Sequence, residues 1–161
     1  MTPQRSAQWL ALLVPLGLMA GALGSQYLGG LYPCEMCMWQ RWPHYAAIVV
    51  ALLSFVAKPA RVPLIWLAAL LIAVSGAIGA FHAGVEYGWW EGLTRCATTF
   101  GASGGSTLDS IMNAPLIRCD VAPWHFLGIS LAGWNAIVSL GGALLIAVLM
   151  RKAPSNRDWR P

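Results

Sequence analysis

Cys34 and Cys37, separated by two residues, are the side chains of this chain best suited to do chemistry. A Cys-x-x-Cys pair can cycle between dithiol and disulfide, or it can bind a metal ion. Arg41 follows Cys37 by one helical turn, so on a helix the two side chains lie on the same face. A cation at that position favours the thiolate, which is the form that attacks disulfides. As a structural crosslink the pair would close too small a loop to constrain the chain, which favours a redox or metal role.

A second pair of cysteines, Cys96 and Cys119, lies further along the chain in a polar, glycine-rich stretch. A disulfide between them would constrain a long loop, so a structural role is open. If both pairs lie on one side of the protein, a relay is also available, because exchange needs only a thiolate within reach of a disulfide sulfur. Zinc bound by cysteines together with His44, His82 or His125 is a further alternative. We expect no bound metal, because the second pair lacks the tight spacing of a zinc site.

The elements that must position these cysteines are apolar helices. The 161-residue chain is 58% hydrophobic and 10% charged, whereas a soluble domain has roughly 25% charged residues. A bilayer core about 30 Å thick needs about 20 helical residues, and the apolar residues form four blocks, of which the second is the shortest. We predict an all-α membrane protein, a four-transmembrane-helix bundle forming a single domain 1–150, with helices at about 9–28, 42–57, 64–85 and 124–150.

The positions of the basic residues predict the orientation in the membrane. Seven flank the blocks on one side and three lie on the other, and the positive-inside rule places the richer side, with both termini, in the cytoplasm. All four cysteines then face the oxidising periplasm of a bacterium, in loops at about 29–41 and 86–123. The tail 151–161 is cytoplasmic, and the net charge of +4 reflects topology, not nucleic-acid binding. A cleaved signal peptide at Trp9–Gly24 is the alternative for the first block.

The second periplasmic loop is expected to combine a linker with a short helix. The segment Gly101–Ser106 has the composition of a flexible linker. Ser106 followed by Asp109 resembles a helix N-cap with an acidic residue three positions later. We predict a short interfacial helix there, and an ordinary loop is the alternative. Cys96 would then lie on a mobile segment, whereas Cys119 would be held near the start of the last helix.

Electrons that reach Cys34 and Cys37 need an acceptor. The sequence contains no nucleotide-binding, iron–sulfur or haem-attachment motif. The remaining two-electron acceptor for a membrane protein is a lipid-soluble quinone, either ubiquinone or menaquinone. Arg41 and His82, near the outer end of the third helix, are the candidate hydrogen-bond donors to its carbonyl oxygens. The alternatives are an anchoring role for Arg41 at the membrane surface and a partly buried interfacial histidine at position 82.

Several segments of the chain are similar to a known family. They resemble the signature of the DsbB family, disulfide bond formation protein B. The matching parts are Leu31–Arg41, His82–Trp90, the following Cys96 and the pair Cys119–Asp120. The similarity extends from the first helix to Met150.

This resemblance implies a quinone-dependent oxidase of the bacterial inner membrane that reoxidises a periplasmic, DsbA-like thioredoxin-fold protein. It implies that Cys96 forms the mixed disulfide with that partner and that Cys119 is its bridging mate. Cys34 would receive the electrons from that pair, and Cys37 would face the quinone. The quinone-binding residues that it implies are Arg41 and, as a looser match, His82.

Three other functions stay open on the sequence. They are a membrane disulfide reductase similar to the vitamin K epoxide reductase group, a non-catalytic metal-binding membrane protein, and a DsbB-like protein dedicated to one client enzyme. Arg41 and the order of the two cysteine pairs favour the oxidase over the reductase.

Overall fold

The computed structural model describes residues 2–93, 97–98 and 116–153, and these residues are mostly helical. Their four long helices are α1 Pro3–Tyr27, α2 Glu35–Val56, α3 Arg61–Glu86 and α4 Leu131–Lys152. A 3-10 turn at Lys58–Ala60 joins α2 to α3. Two antiparallel pairs of short strands complete the described fold, β1 Ala97–Thr98 with β2 Leu116–Ile117, and β3 His125–Phe126 with β4 Ile129–Ser130.

Three segments of the described chain are long and apolar enough to cross a membrane. They are α1, the segment Lys58–Glu86 that contains α3, and α4. The helix α2 is not among them, and its N-terminal half carries Gln40, Arg41 and His44. The fourth membrane crossing therefore stays a prediction. The predicted interfacial helix, Cys96 and the tail beyond residue 153 lie outside the described residues.

The start of α2 differs from the sequence prediction in a way that matters for the cysteines. The helix begins at Glu35 and not near Trp42. The Cys34 side chain accepts a hydrogen bond from the Cys37 amide at 3.2 Å and so caps the helix in the way a serine or aspartate usually does. Both cysteines therefore lie at the N-terminus of a helix and not in a loop that precedes it.

The start of α4 also differs, since the prediction began this helix at Trp124 and the structure begins it at Leu131. A two-residue hairpin turn between β3 and β4 occupies the intervening chain, with φ of 53° at Leu127 and 76° at Gly128. Positive φ at both central residues is the turn that matches the twist of a hairpin. The Tyr87 hydroxyl donates to the Gly128 carbonyl at 3.2 Å and accepts from the Ser130 amide at 3.1 Å, which fastens the hairpin to the end of α3.

The apolar core fills the end of the bundle farthest from the cysteines. It is built largely from alanines on facing helices, such as Ala11 on α1, Ala47 on α2, Ala68 on α3 and Ala143 on α4. Small residues let helix backbones approach closely, which is how helices associate where lipid removes the hydrophobic driving force. The core therefore holds the four helices together and leaves the opposite end for polar side chains.

Candidate active site

Cys34 and Cys37 form a compact dithiol at the N-terminus of α2. Their Sγ atoms lie 2.7 Å apart, and a disulfide needs about 2.05 Å, so only a small side-chain movement separates the two redox states. Cys34 is buried and Cys37 is partly exposed. The partial positive charge of a helix N-terminus stabilises thiolates, so this end of α2 suits a reactive pair.

Cys119 lies against Cys34, although the two are distant in sequence. It is buried in one cluster with Cys34, so the two side chains pack together. The hydrogen bond with Cys37, then burial, and then the contact with Cys119 raise the pKa of the Cys34 thiol. Arg118 and Asp120 flank Cys119 in the sequence, and the exposed Arg118 guanidinium lowers the pKa of the Asp120 carboxyl through paired hydrogen bonds. Cys34 therefore keeps its proton in the dithiol, and Cys119 is the neighbouring sulfur with which it can exchange.

His82 lies beside these sulfur atoms and is 1% exposed. Its Nε2 is 3.6 Å from Cys34 Sγ, 3.2 Å from the Cys119 carbonyl oxygen and 3.7 Å from Glu86 Oε1. Its Nδ1 is 2.8 Å from Gln40 Nε2. The histidine therefore connects the dithiol on α2 with the chain around Cys119.

The tautomer of His82 follows from the hydrogen bonds of Gln40. Gln40 Nε2 donates to the Met36 carbonyl oxygen at 3.1 Å, and a carbonyl can only accept. This fixes the orientation of the amide, so the same nitrogen donates to His82 Nδ1. Neutral His82 consequently carries its proton on Nε2, the nitrogen that faces Cys34 Sγ and the Cys119 carbonyl.

The orientation of the Gln40 amide also determines that of the Asn135 amide on α4. Gln40 Oε1 accepts from Asn135 Nδ2 at 2.8 Å, and that nitrogen also donates to the Ser75 carbonyl oxygen at 3.2 Å. Asn135 Oδ1 therefore accepts, from His44 Nε2 at 2.9 Å and from the Ser139 hydroxyl at 2.9 Å. A connected polar network thus crosses α2, α3 and α4, and each link sets the direction of the next.

Two cavities meet at the dithiol. The inner cavity, of about 200 Å³, lies between α1, α2, α3 and α4, and the outer one, of about 320 Å³, opens toward the loops. Four residues line both cavities, Cys37, His82, Glu86 and Pro123. Cys37 is therefore the sulfur that faces both the cavity next to the loops and the cavity inside the bundle.

Arg41 lines the inner cavity and is 8% exposed, so it is not a side chain that extends to the membrane surface. Its guanidinium donates to Gln26 Oε1 at 2.5 Å and to the Ala22 carbonyl oxygen at 3.2 Å, both on α1. A guanidinium has five N–H donors, so these two bonds position the group against α1 without using its full capacity.

The donor set of the inner cavity fits the quinone expected from the sequence. Its walls are mainly apolar, and Gly17 and Gly21 leave open space on α1. Arg41 provides cationic donors, which suit the carbonyl oxygens of a quinone. An apolar pocket with a few placed polar groups is the usual form of a site for a small organic molecule.

The zinc alternative fits the same residues less well. The ligand atoms of Cys34, Cys37 and His82 lie within 4.8 Å of one another. Tetrahedral zinc with bonds of about 2.3 Å keeps two sulfurs about 3.8 Å apart, whereas here the two Sγ atoms are 2.7 Å apart. The spacing is that of a thiol pair close to forming a disulfide. The expectation of no bound metal stays a prediction, and this spacing favours it.

Of the six site residues expected from the sequence, the structure brings five together. These are Cys34, Cys37, Arg41, His82 and Cys119; Cys96 lies outside the described residues. The network residues Gln40 and Asn135 were missed, and so was the place of His44 in this site. Polar side chains within apolar helices were the available signal, because such residues are costly in a membrane unless they have partners or a function.

Removing the Gln40 amide is expected to destabilise the protein. Gln40→Leu leaves buried His82 Nδ1 without its donor and removes the acceptor of one Asn135 N–H, which should lower the free energy of unfolding by about 1–3 kcal/mol. Trp39→Leu, a change at a neighbouring and more exposed residue of α2, is the matched control. The stability of both variants is measured by denaturant unfolding in detergent micelles. Equal stability of the two variants would contradict a stabilising role for the hydrogen-bond network.

Comparison with known proteins gives one consistent result. A family model described as disulfide bond formation protein DsbB matches residues 4–149. The chain is similar to disulfide bond formation protein B of Marinobacter nauticus, with 33% identity covering 93% of this chain and 94% of the relative. It is also similar to the proteins of that name from Nitrosomonas europaea, at 30% identity over 88% and 90%, and from Polaromonas sp., at 32% over 92% and 91%. No solved structure gave a significant match.

Proposed function

This chain belongs to the DsbB family and is a membrane oxidoreductase of disulfide bond formation, and we propose that it reoxidises a periplasmic DsbA-type dithiol protein and passes the electrons to a membrane quinone. The observation that carries the proposal is the position of Cys37 in the wall shared by two cavities, with Cys119 against its partner Cys34. The proposal includes four membrane crossings, cytoplasmic termini and periplasmic cysteines.

Thiol–disulfide exchange begins at the loop pair in this proposal. A thiolate of the reduced partner attacks the Cys96 sulfur of a Cys96–Cys119 disulfide, which forms a mixed disulfide and releases the Cys119 thiolate. The strands support this pairing, since β1 directly follows Cys96 in sequence and its neighbour β2 ends shortly before Cys119. The Cys119 thiolate then attacks Cys34 of the Cys34–Cys37 disulfide, and Cys37 leaves as a thiolate.

The second partner thiol completes the electron count. It attacks the partner's own sulfur in the mixed disulfide with Cys96. The partner then leaves with a disulfide, and the Cys96 thiolate is released. Cys96 then attacks Cys119 of the Cys34–Cys119 bond, which restores the loop disulfide and leaves both electrons on Cys34 and Cys37. The contact between Cys34 and Cys119 supports this order, because the attacked sulfur and its attacker are already neighbours.

The inner cavity completes the cycle. A bound quinone would supply the acceptor for two electrons and two protons, so that Cys34 and Cys37 return to the disulfide. Arg41 and His82 would hold it from the polar end of the cavity. His82 can move a proton at Nε2, because this atom lies 3.6 Å from Cys34 Sγ and 3.7 Å from Glu86 Oε1.

The reduction potentials of the partner and of glutathione exclude glutathione disulfide as the electron acceptor. A DsbA-type partner has a potential of about −120 mV, whereas a glutathione pool has a poise of about −200 mV. For a two-electron step about 30 mV corresponds to about 1.4 kcal/mol, so reoxidation by glutathione disulfide would be uphill by about 4 kcal/mol. An acceptor of higher potential is therefore required.

Steady-state quinone reduction tests the proposal. The protein in lipid nanodiscs, supplied with a reduced DsbA-type donor, should reduce short-chain ubiquinone or menaquinone, followed by absorbance. Arg41→Met should raise the KM for quinone at least about tenfold, the effect of losing a charged hydrogen bond, and leave the KM for the donor unchanged. Arg151→Met, a cation at the far end of α4, is the control. Absence of turnover with either quinone, in folded protein with accessible thiols, would refute the proposal and favour the reductase or metal-binding alternatives.

A further inference from the structure

His44 has a buried nitrogen that the described protein leaves without a partner. The side chain is 3% exposed and lines the inner cavity on α2, two turns beyond Cys37. Its Nε2 bonds to Asn135 Oδ1 at 2.9 Å, and its Nδ1 has no hydrogen-bond partner among the described residues. Leaving a buried polar atom unpaired is unfavourable, so a ligand that pairs with this nitrogen is favoured in the cavity.

The hydrogen-bond network determines what this nitrogen can recognise. The Met36 and Ser75 carbonyls fix the amides of Gln40 and Asn135, and Asn135 Oδ1 can only accept. Neutral His44 therefore carries its proton on Nε2, and its Nδ1 offers a lone pair. A lone pair accepts a hydrogen bond from a hydroxyl and has nothing to offer a carbonyl oxygen.

We propose that His44 is the inner polar contact for the reduced cofactor, with Nδ1 accepting a hydrogen bond from a quinol hydroxyl and thereby favouring quinol over quinone in the cavity. This inference rests on the function proposed above. Arg41, one helical turn nearer to Cys37, provides donors that suit a carbonyl oxygen, and His44 provides the complementary acceptor. Arg41 thus recognises the quinone form of the ring, and His44 recognises the quinol form.

Binding of the two redox forms is the direct test and needs no turnover. A short-chain ubiquinone and its quinol, each added anaerobically to the disulfide form in nanodiscs, are titrated by quenching of tryptophan fluorescence, since Trp134 lines the cavity. His44→Gln keeps an amide donor near the position of Nε2 and removes the Nδ1 acceptor. It should weaken quinol binding roughly tenfold, as expected for one lost hydrogen bond, and change quinone binding less than about twofold. A tenfold change in this ratio corresponds to about 30 mV in the potential of the bound couple.

A second substitution separates recognition from folding. His44→Asn places an amide oxygen near the position of Nδ1 and loses the donor to Asn135, so it should bind quinol nearly as the wild type does while unfolding more readily.

The outcomes distinguish this inference from the proposed function. If the wild type reduces quinone and His44→Gln binds both forms as the wild type does, the inference fails and the function stands. If His44→Gln and His44→Asn lose both forms equally, the role of His44 is structural and the inference fails. If the wild type neither binds nor reduces quinone, the proposed function and the inference both fail.

Discussion

Cys37→Ser is expected to abolish quinone reduction, with a loss of at least about 1,000-fold whether electrons come from a DsbA-type protein or from dithiothreitol. In the proposed relay electrons leave the outer cavity through Cys37, the sulfur that lines both cavities. A serine hydroxyl can form no disulfide with Cys34. Absorbance of the quinone in nanodiscs measures the loss.

The same variant should still oxidise its protein donor once. The disulfide proposed between Cys96 and Cys119 does not depend on Cys37, so one equivalent of donor disulfide per chain should form without any quinol. Glu35→Gln, an exposed change in the same helical turn, is the control and should keep full turnover. Continued quinone reduction by Cys37→Ser would show that electrons leave through another group.

Cys119→Ser is expected to separate the two halves of the relay. It should lower turnover with the protein donor by at least about 1,000-fold, because no sulfur then connects the partner to Cys34. Dithiothreitol is small enough to enter the outer cavity, where it meets Cys34 and Cys37 directly. Quinone reduction by dithiothreitol should therefore stay within about threefold of the wild type, since the chemistry at Cys37 is unchanged.

The neighbouring Asp120→Asn serves as the matched control for this experiment. It changes an exposed side chain beside Cys119, removes one partner of the Arg118 ion pair and leaves every sulfur in place. Both donors should support full turnover. If Cys119→Ser loses activity with dithiothreitol as well, then Cys119 maintains the dithiol site and does not relay electrons into it.

The chemistry of the first cysteine pair could be read from the sequence because it depends on local spacing. Cys34, Cys37 and Arg41 are separated by single helical turns, and the structure places all three at one end of α2. His82 was expected near the outer end of the third helix and lies in the last turns of α3. Such predictions succeed because helical periodicity alone decides which side chains share a face.

The contacts between distant segments could not be read in this way. The approach of Cys119 to Cys34 depends on how the second loop returns to the bundle, which no local pattern specifies. The same holds for the bond from Gln40 to Asn135, since the sequence shows two polar residues in apolar helices and not that they face one another. The helix α2 begins before the apolar block at about 42–57, because polar residues form its first turns and Cys34 caps it.

The stoichiometry of a single turnover tests the central claim most directly. The protein in quinone-loaded nanodiscs is mixed anaerobically with a limiting amount of reduced DsbA-type donor, and donor disulfide and quinol are both counted. Electron balance in the proposed relay requires one quinol for each donor disulfide, with no quinol in Cys37→Ser. Donor oxidation without quinol in the wild type, or equal quinol in the wild type and Cys37→Ser, would contradict the claim that Cys37 passes electrons from the partner to a membrane quinone.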